Sequence, residues 1–165
     1  METSKPEVRQ ALAKCQVFSA LNDVELRKVA NLTTEKEYEA GATIFREGEP
    51  AEELLVLQEG KIALQMSLSA PAAQTTRRIT VDIVSHNEIV GWSTLVEPHI
   101  FTLTCVCLQP VKVLSVNGIK LRSLLGANHH IGYQVLNELI KVVASRLDDT
   151  RRVLVSERLL PLKLD

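Results

Sequence analysis

The stretch Asn87-Glu88-Ile89-Val90-Gly91-Trp92-Ser93-Thr94-Leu95-Val96-Glu97-Pro98-His99-Ile100-Phe101-Thr102-Leu103-Thr104-Cys105-Val106-Cys107 decides how the rest of this chain is read. It spells a strand end, a turn, one short helical turn, a loop broken by Pro98, and a second strand rich in β-branched residues. Gly91 has no Cβ, so the backbone can approach a neighbour closely there. Ser93 and Thr94 are placed to cap the short turn, whose outward amide N–H groups would attract an anion. The stretch predicts a cradle for a small ligand.

On either side of it, from Thr33 to Val116, apolar residues recur with a period of two. Short runs end at Gly41, Gly48, Gly60, Asn87 and Asn117-Gly118. Alternating strands broken at such intervals predict an antiparallel sandwich or jelly roll. Ser67 to Thr76, small, polar and holding Pro71, predicts a mobile hairpin tip.

The flanks have helical periodicity. Pro6 to Lys14 predicts a short helix, with Phe18 and Leu21 as an apolar hinge after it. Asn22 and Glu25 have the spacing of a capping box opening a second helix, with Val24, Leu26, Val29 and Ala30 on its buried side. After the strands, Asn117 to Leu125 predicts a short helix ending near Gly126. A long helix then runs from His129 to about Leu160, where Pro161 stops it. Along it Leu136, Ile140, Val143, Leu147, Thr150 and Leu154 follow the spacing of a coiled-coil seam. Val135, Leu139 and Val142 form a second stripe, expected to face the chain's own roll.

The cradle resembles the phosphate-binding cassette of the cyclic-nucleotide-binding domain, the sensor half of catabolite-activator-type bacterial regulators. That motif runs roughly Gly-Glu-hydrophobic-Ala/Ser-Leu, a short loop, then Pro-Arg-x-Ala-Thr-Val-x-Ala. Gly91, Leu95 and Thr104 match its Gly, Leu and strand Thr. The run from Ala40 to Ile62 is similar to the family's two glycine turns and the Gly after the following strand. Val17 to Leu26 resembles the entry to its roll, and Asn87 stands for another family Gly.

The resemblance implies a mainly β fold: a double-stranded β-helix, or jelly roll, flanked by helices and closed by a long C-terminal helix. It covers residues 1–165 as one domain, with N-terminal helices over 1–32, the roll over 33–116 and C-terminal helices over 117–160. It implies a homodimer through the long helix, with Leu136, Ile140, Val143, Leu147 and Leu154 at the interface. It also implies ligand contacts from Gly91, Trp92, Ser93, Thr94, Phe101 and Thr102, with Thr150 reaching the ligand across the dimer. Thr150 reads equally as a polar seam residue setting register.

Two departures bear on the ligand. Trp92 stands where the family Glu holds the ribose 2′-hydroxyl, and Phe101 stands where the Arg pairs with the cyclic phosphate. A buried phosphate without its cation is costly. His99, close by, is a poor substitute near neutral pH. Cyclic nucleotide is therefore disfavoured by Trp92 and Phe101, and no other cofactor is expected. Those two residues either wall a pocket for a less charged ligand or plug it.

The formal net charge is −1 with a pI near 6.4, and the basic pairs Arg77-Arg78 and Arg151-Arg152 do not make a stripe. Arg158 to Asp165 leave no room for a recognition helix, so no direct DNA binding is expected. No run is long and apolar enough for a membrane span, and the start has no leader pattern, so the chain is expected to be cytoplasmic. Cys15, Cys105 and Cys107 form neither a disulfide framework nor a metal set. No hydrolase, zinc-protease or nucleotide-loop motif is present, so no enzyme is expected.

Three functions remain. The first is a non-catalytic small-molecule sensor or regulatory module with altered or lost cyclic-nucleotide specificity, read by an unidentified protein partner. The second is a ligand-free dimeric interaction module. The third is a true cyclic-nucleotide binder in a changed pose.

Overall fold

The computed structural model describes residues 5–70 and 75–159. Helix α1 (Lys5–Lys14) leads through a 3-10 turn (Gln16–Phe18) to α2 (Asp23–Ala30). Eight strands follow: β1 (Thr33–Tyr38), β2 (Thr43–Phe45), β3 (Glu53–Glu59), β4 (Ile62–Ala70), β5 (Thr75–Val84), β6 (Ile89–Val90), β7 (Thr104–Cys107) and β8 (Val111–Asn117). A second 3-10 turn (Trp92–Leu95) lies between β6 and β7, and α3 (Gly118–Ala127) and α4 (His129–Leu159) close the chain. The strands form two antiparallel four-stranded sheets, ordered β1-β8-β3-β6 and β2-β7-β4-β5. This is the mainly β roll with flanking helices and a long C-terminal helix that the sequence predicts.

The first sheet is the middle layer. On β3, Leu55 and Leu57 point into the roll, against Ile62, Leu64, Cys105 and Cys107 of the second sheet. Leu54 and Val56 point the other way, into a core shared with α1, α2, α3 and α4. Two buried faces explain why Leu54-Leu55-Val56-Leu57 is a continuous apolar run and not an alternating one.

The capping box of α2 is complete: Glu25 N donates to Asn22 Oδ1 at 3.0 Å, and Asn22 N donates to Glu25 Oε2 at 2.9 Å. It also corrects the expected buried side. Glu25, needed at the cap, turns inward with Leu26, Val29 and Ala30, and Val24 is left 62% exposed. The β4–β5 hairpin is longer than its composition suggests. Ser67, Ser69 and Thr76 join the ladder instead of a loop, pairing with Arg78, Thr76 and Ser69 in turn. Residues 71–74 lie outside the described residues.

On α4, Ile131, Val135 and Leu139 are buried, with Val142 packed beside them. They meet the N-terminal helical layer, through Val17 and Phe18 among others, and the outer face of the middle sheet. Through this stripe α4 meets the roll at that sheet's outer face. The seam residues Leu136, Ile140, Val143, Leu147 and Leu154 are 37–67% exposed. Among the described residues, no helix is long and apolar enough to cross a membrane.

Gly60 turns β3 into β4 at φ +88°, and a Cβ there would lie 2.3 Å from the Pro110 carbonyl oxygen. Backbone cannot yield as a flexible side chain can. Gly60→Ala is expected to destabilise the fold by roughly 2–4 kcal/mol, combining left-handed strain with the clash. The urea unfolding midpoint measures this, and an unchanged midpoint would contradict it.

Candidate functional site

The cassette begins where β6 ends. Gly91 adopts the left-handed conformation at φ +83° and serves as N-cap of the Trp92–Leu95 turn. Its missing side chain is used fully: a Cβ there would sit 3.0 Å from Phe101 Cε1 and 3.1 Å from the Glu53 carbonyl oxygen. Phe101 comes from the returning segment before β7 and stacks on Phe45 of β2, with ring centroids 3.7 Å apart and planes 10° from parallel. Phe101 is 6% exposed.

Gly91, Trp92, Ser93, Phe101 and Thr102 come together around one cleft. The open space left between them is only about 30 Å³. That is room for about two water molecules, whereas ligand pockets run from about 300 to 1,000 Å³. Aromatic side chains fill the cradle.

Two expected contacts are placed differently. Thr94 is completely buried and faces away from the cleft, its hydroxyl donating to the Glu53 carbonyl at 2.8 Å. Its own carbonyl accepts from Arg122 Nη1 at 2.7 Å, so Thr94 ties the cassette to β3 and α3. Neither Ser93 nor Thr94 caps the turn with its side chain, because Gly91 occupies the cap. Thr150 lies on α4 outside this cleft, its hydroxyl donating to the Arg146 carbonyl at 2.8 Å.

The side chain that does reach the cleft from α4 is Arg146. Its guanidinium carbon lies 4.8 Å from the centre of the Trp92 ring, a cation–π contact. Nη2 donates to the Ile89 carbonyl at 3.0 Å, and Nε lies 3.7 Å from the Asp82 carboxylate. Its position one helical turn before Thr150 was a usable signal, since residues four apart share a helix face. Phe45 was also missed, being 56 positions before Phe101 in the chain and close only after folding.

His99 takes φ +58° in the loop, with Nδ1 3.4 Å from the Ser93 carbonyl oxygen. Thr104 is nearly buried, and its hydroxyl accepts from Glu47 N at 3.1 Å. Both residues therefore serve the loop frame around the cleft.

The three cysteines are free and buried. Burial pushes the Cys15 and Cys107 thiols up from about 9 to about 11, and Cys105 higher still, with Cys107 beside it adding to the effect. A raised folded value means that the unfolded thiols ionise first as pH climbs, so the folded state is disfavoured there. Stability is expected to be unaffected by these thiols below pH 9, to fall between about 9 and about 11, and to go on falling above that through Cys105. Urea midpoints across that range test this, and replacing Cys15 by Ala should flatten the decline.

Residues 35–128, more than half of the chain, match the family described as Cyclic nucleotide-binding domain. The chain belongs to that family. Over 141 residues it is 23% identical to the CRP-like cAMP-activated global transcriptional regulator of Mycobacterium tuberculosis (strain ATCC 25618 / H37Rv), covering 86% of this chain and 59% of that relative. The chain thus spans a little over half the length of the curated relative. Among solved structures it resembles a candidate cyclic nucleotide-binding protein from Geobacter metallireducens GS-15, with 28% identity, a TM-score of 0.73, and 88% of this chain and 98% of that one covered. It also resembles the N-terminal domain of a transcriptional regulator from Streptomyces coelicolor A3(2), with 27% identity, a TM-score of 0.65, and 87% and 94% covered.

Proposed function

We propose that this chain is a non-catalytic regulatory domain of the family whose nucleotide cleft is shut by its own aromatic residues, and whose output is a homodimer formed along α4. The observation that carries the reading is Phe101, stacked on Phe45 and pressed against the bare backbone of Gly91. Cyclic nucleotide in the family's usual pose would have to displace Phe101. It would also bury a phosphate where the cassette strand offers no cation. Arg146 is the one cation lining the cleft among the described residues, and Trp92, Ile89 and Asp82 already engage it.

The output follows from the exposed face of α4. Leu136, Ile140, Val143, Leu147 and Leu154 recur at seam spacing on a side that the protomer leaves uncovered, so a second copy would bury them. With a formal charge of −1 and no basic stripe, these residues act in the cytoplasm through a protein partner that reads the helix pair, without touching DNA themselves.

Calorimetric titration with cyclic AMP and cyclic GMP is expected to show no binding in the micromolar range, and saturable binding there would overturn the shut-cleft reading. The double variant Phe101→Arg, Trp92→Glu removes both aromatic walls and restores the missing charges. It is expected to gain cyclic AMP affinity by about 100-fold or more, the scale of a buried charge-assisted pair.

Size-exclusion chromatography with light scattering checks the dimer. The wild type should elute as a dimer and the Ile140→Asp, Leu147→Asp variant as a folded monomer, because both side chains are exposed within the protomer. A monomeric wild type, or a variant that stays dimeric, would remove α4 as the interface.

A further inference from the structure

On the far side of Arg146 from the cassette lies a larger opening of about 160 Å³. It is bounded by α4, the Gln16–Phe18 turn, the end of β5 and the turn leading to β6. Val17, Ile89 and Val142 are among its apolar lining residues, and Asp82, Glu88 and Asp149 are its acidic ones. We propose that this opening, distinct from the cassette, binds a compact organic cation: an amine, amidine or guanidine with a short apolar body.

Charge selects the class. Three carboxylates line the opening against one guanidinium, and that guanidinium is occupied by the Trp92 ring, the Ile89 carbonyl and Asp82. Glu88 Oε2 accepts from Ser85 N at 2.6 Å, but neither Glu88 nor Asp149 has a cationic partner among the described residues. An anion would be repelled. A metal ion is disfavoured too, since no three His, Cys, Asp or Glu side chains among the described residues converge well enough to hold one. An N–H cation suits such a site because each of its hydrogens can meet a separate, well-spaced acceptor.

Size selects the body. An opening of this volume is close to the roughly 150 Å³ of a cavity that takes one benzene ring. The apolar lining suits a ring or short chain, with the charged end turned to Asp149. Such a ligand would bridge α4, through Ser145 and Asp149, to the roll, through Asp82 and Glu88. It would do so where α4 leaves its own protomer, since from Leu147 to Arg158 every residue is exposed. Occupancy would therefore bias the angle at which α4 presents its seam.

The isosteric set benzamidine, benzamide and benzoate tests this on the whole chain, followed by titration of backbone amide signals. Benzamidine is expected to shift Gln16, Glu88 and Ser145 saturably, benzamide at least about tenfold more weakly and benzoate not at all, as loss of a charge-assisted hydrogen bond implies. Asp149→Asn should weaken benzamidine by about tenfold without changing the fold, because that side chain is exposed. Ser145→Phe, which keeps every charge but fills the opening, should abolish binding. Equal binding of all three compounds, no benzamidine binding at millimolar concentration, indifference to both substitutions, or displacement by cyclic AMP would each overturn the proposal.

Discussion

A sheet with two buried faces is the constraint from which the rest of this molecule follows. The middle sheet has the roll's interior on one side and the helical layer on the other, so Leu54 to Leu57 of β3 and Val111, Val113, Leu114 and Val116 of β8 are all buried. One face holds the second sheet at the spacing that brings Phe45 to Phe101. The other anchors α4 through Ile131, Val135 and Leu139. Because both cores share these strands, a shift on the helical side cannot leave the roll untouched. The cassette is the short link between them, leaving the sheet at β6 and tied back to it by Thr94 on the Glu53 carbonyl.

The cleft gains its character from two aromatic side chains, Trp92 and Phe101. An aromatic ring offers its face to a nearby cation. Trp92 accepts the Arg146 guanidinium over its face, a contact that needs no charge on the cassette. Phe101, likewise, needs no anion to neutralise it and finds Phe45 instead. Stacking and burial thereby line the cleft from within.

Much of this was legible in the residues. The capping box at Asn22 and Glu25, the turns at Gly41, Gly48 and Gly60, and the left-handed turn at Asn87 (φ +66°) are local features, and local chemistry dictates them. The meeting of Gly91, Trp92, Ser93, Phe101 and Thr102 could be read because the cassette is nearly contiguous. What escaped was whatever depends on distant partners or on direction. Arg146 arrives from a helix more than fifty residues away. Thr94 turns inward because Glu53 offers it a carbonyl, which no spacing reveals. The β4–β5 hairpin escaped for another reason: its serines and threonines look like loop composition, yet cross-strand pairing suits them well.

The long helix has one more consequence. It is gripped along its first half, and among its described side chains Arg146 is the last that is not exposed. Beyond that fulcrum run the residues from Leu147 to Leu159, a rod of about 20 Å at the ordinary helical rise. A tilt of about 10° at Arg146 would carry the far end of the rod through about 3 Å, at constant helix geometry. That is a displacement of side-chain dimensions, enough to move a partner's contact from one residue to its neighbour. The stretch of α4 from Leu147 to Arg158 thus stands as an exposed arm beyond the cleft.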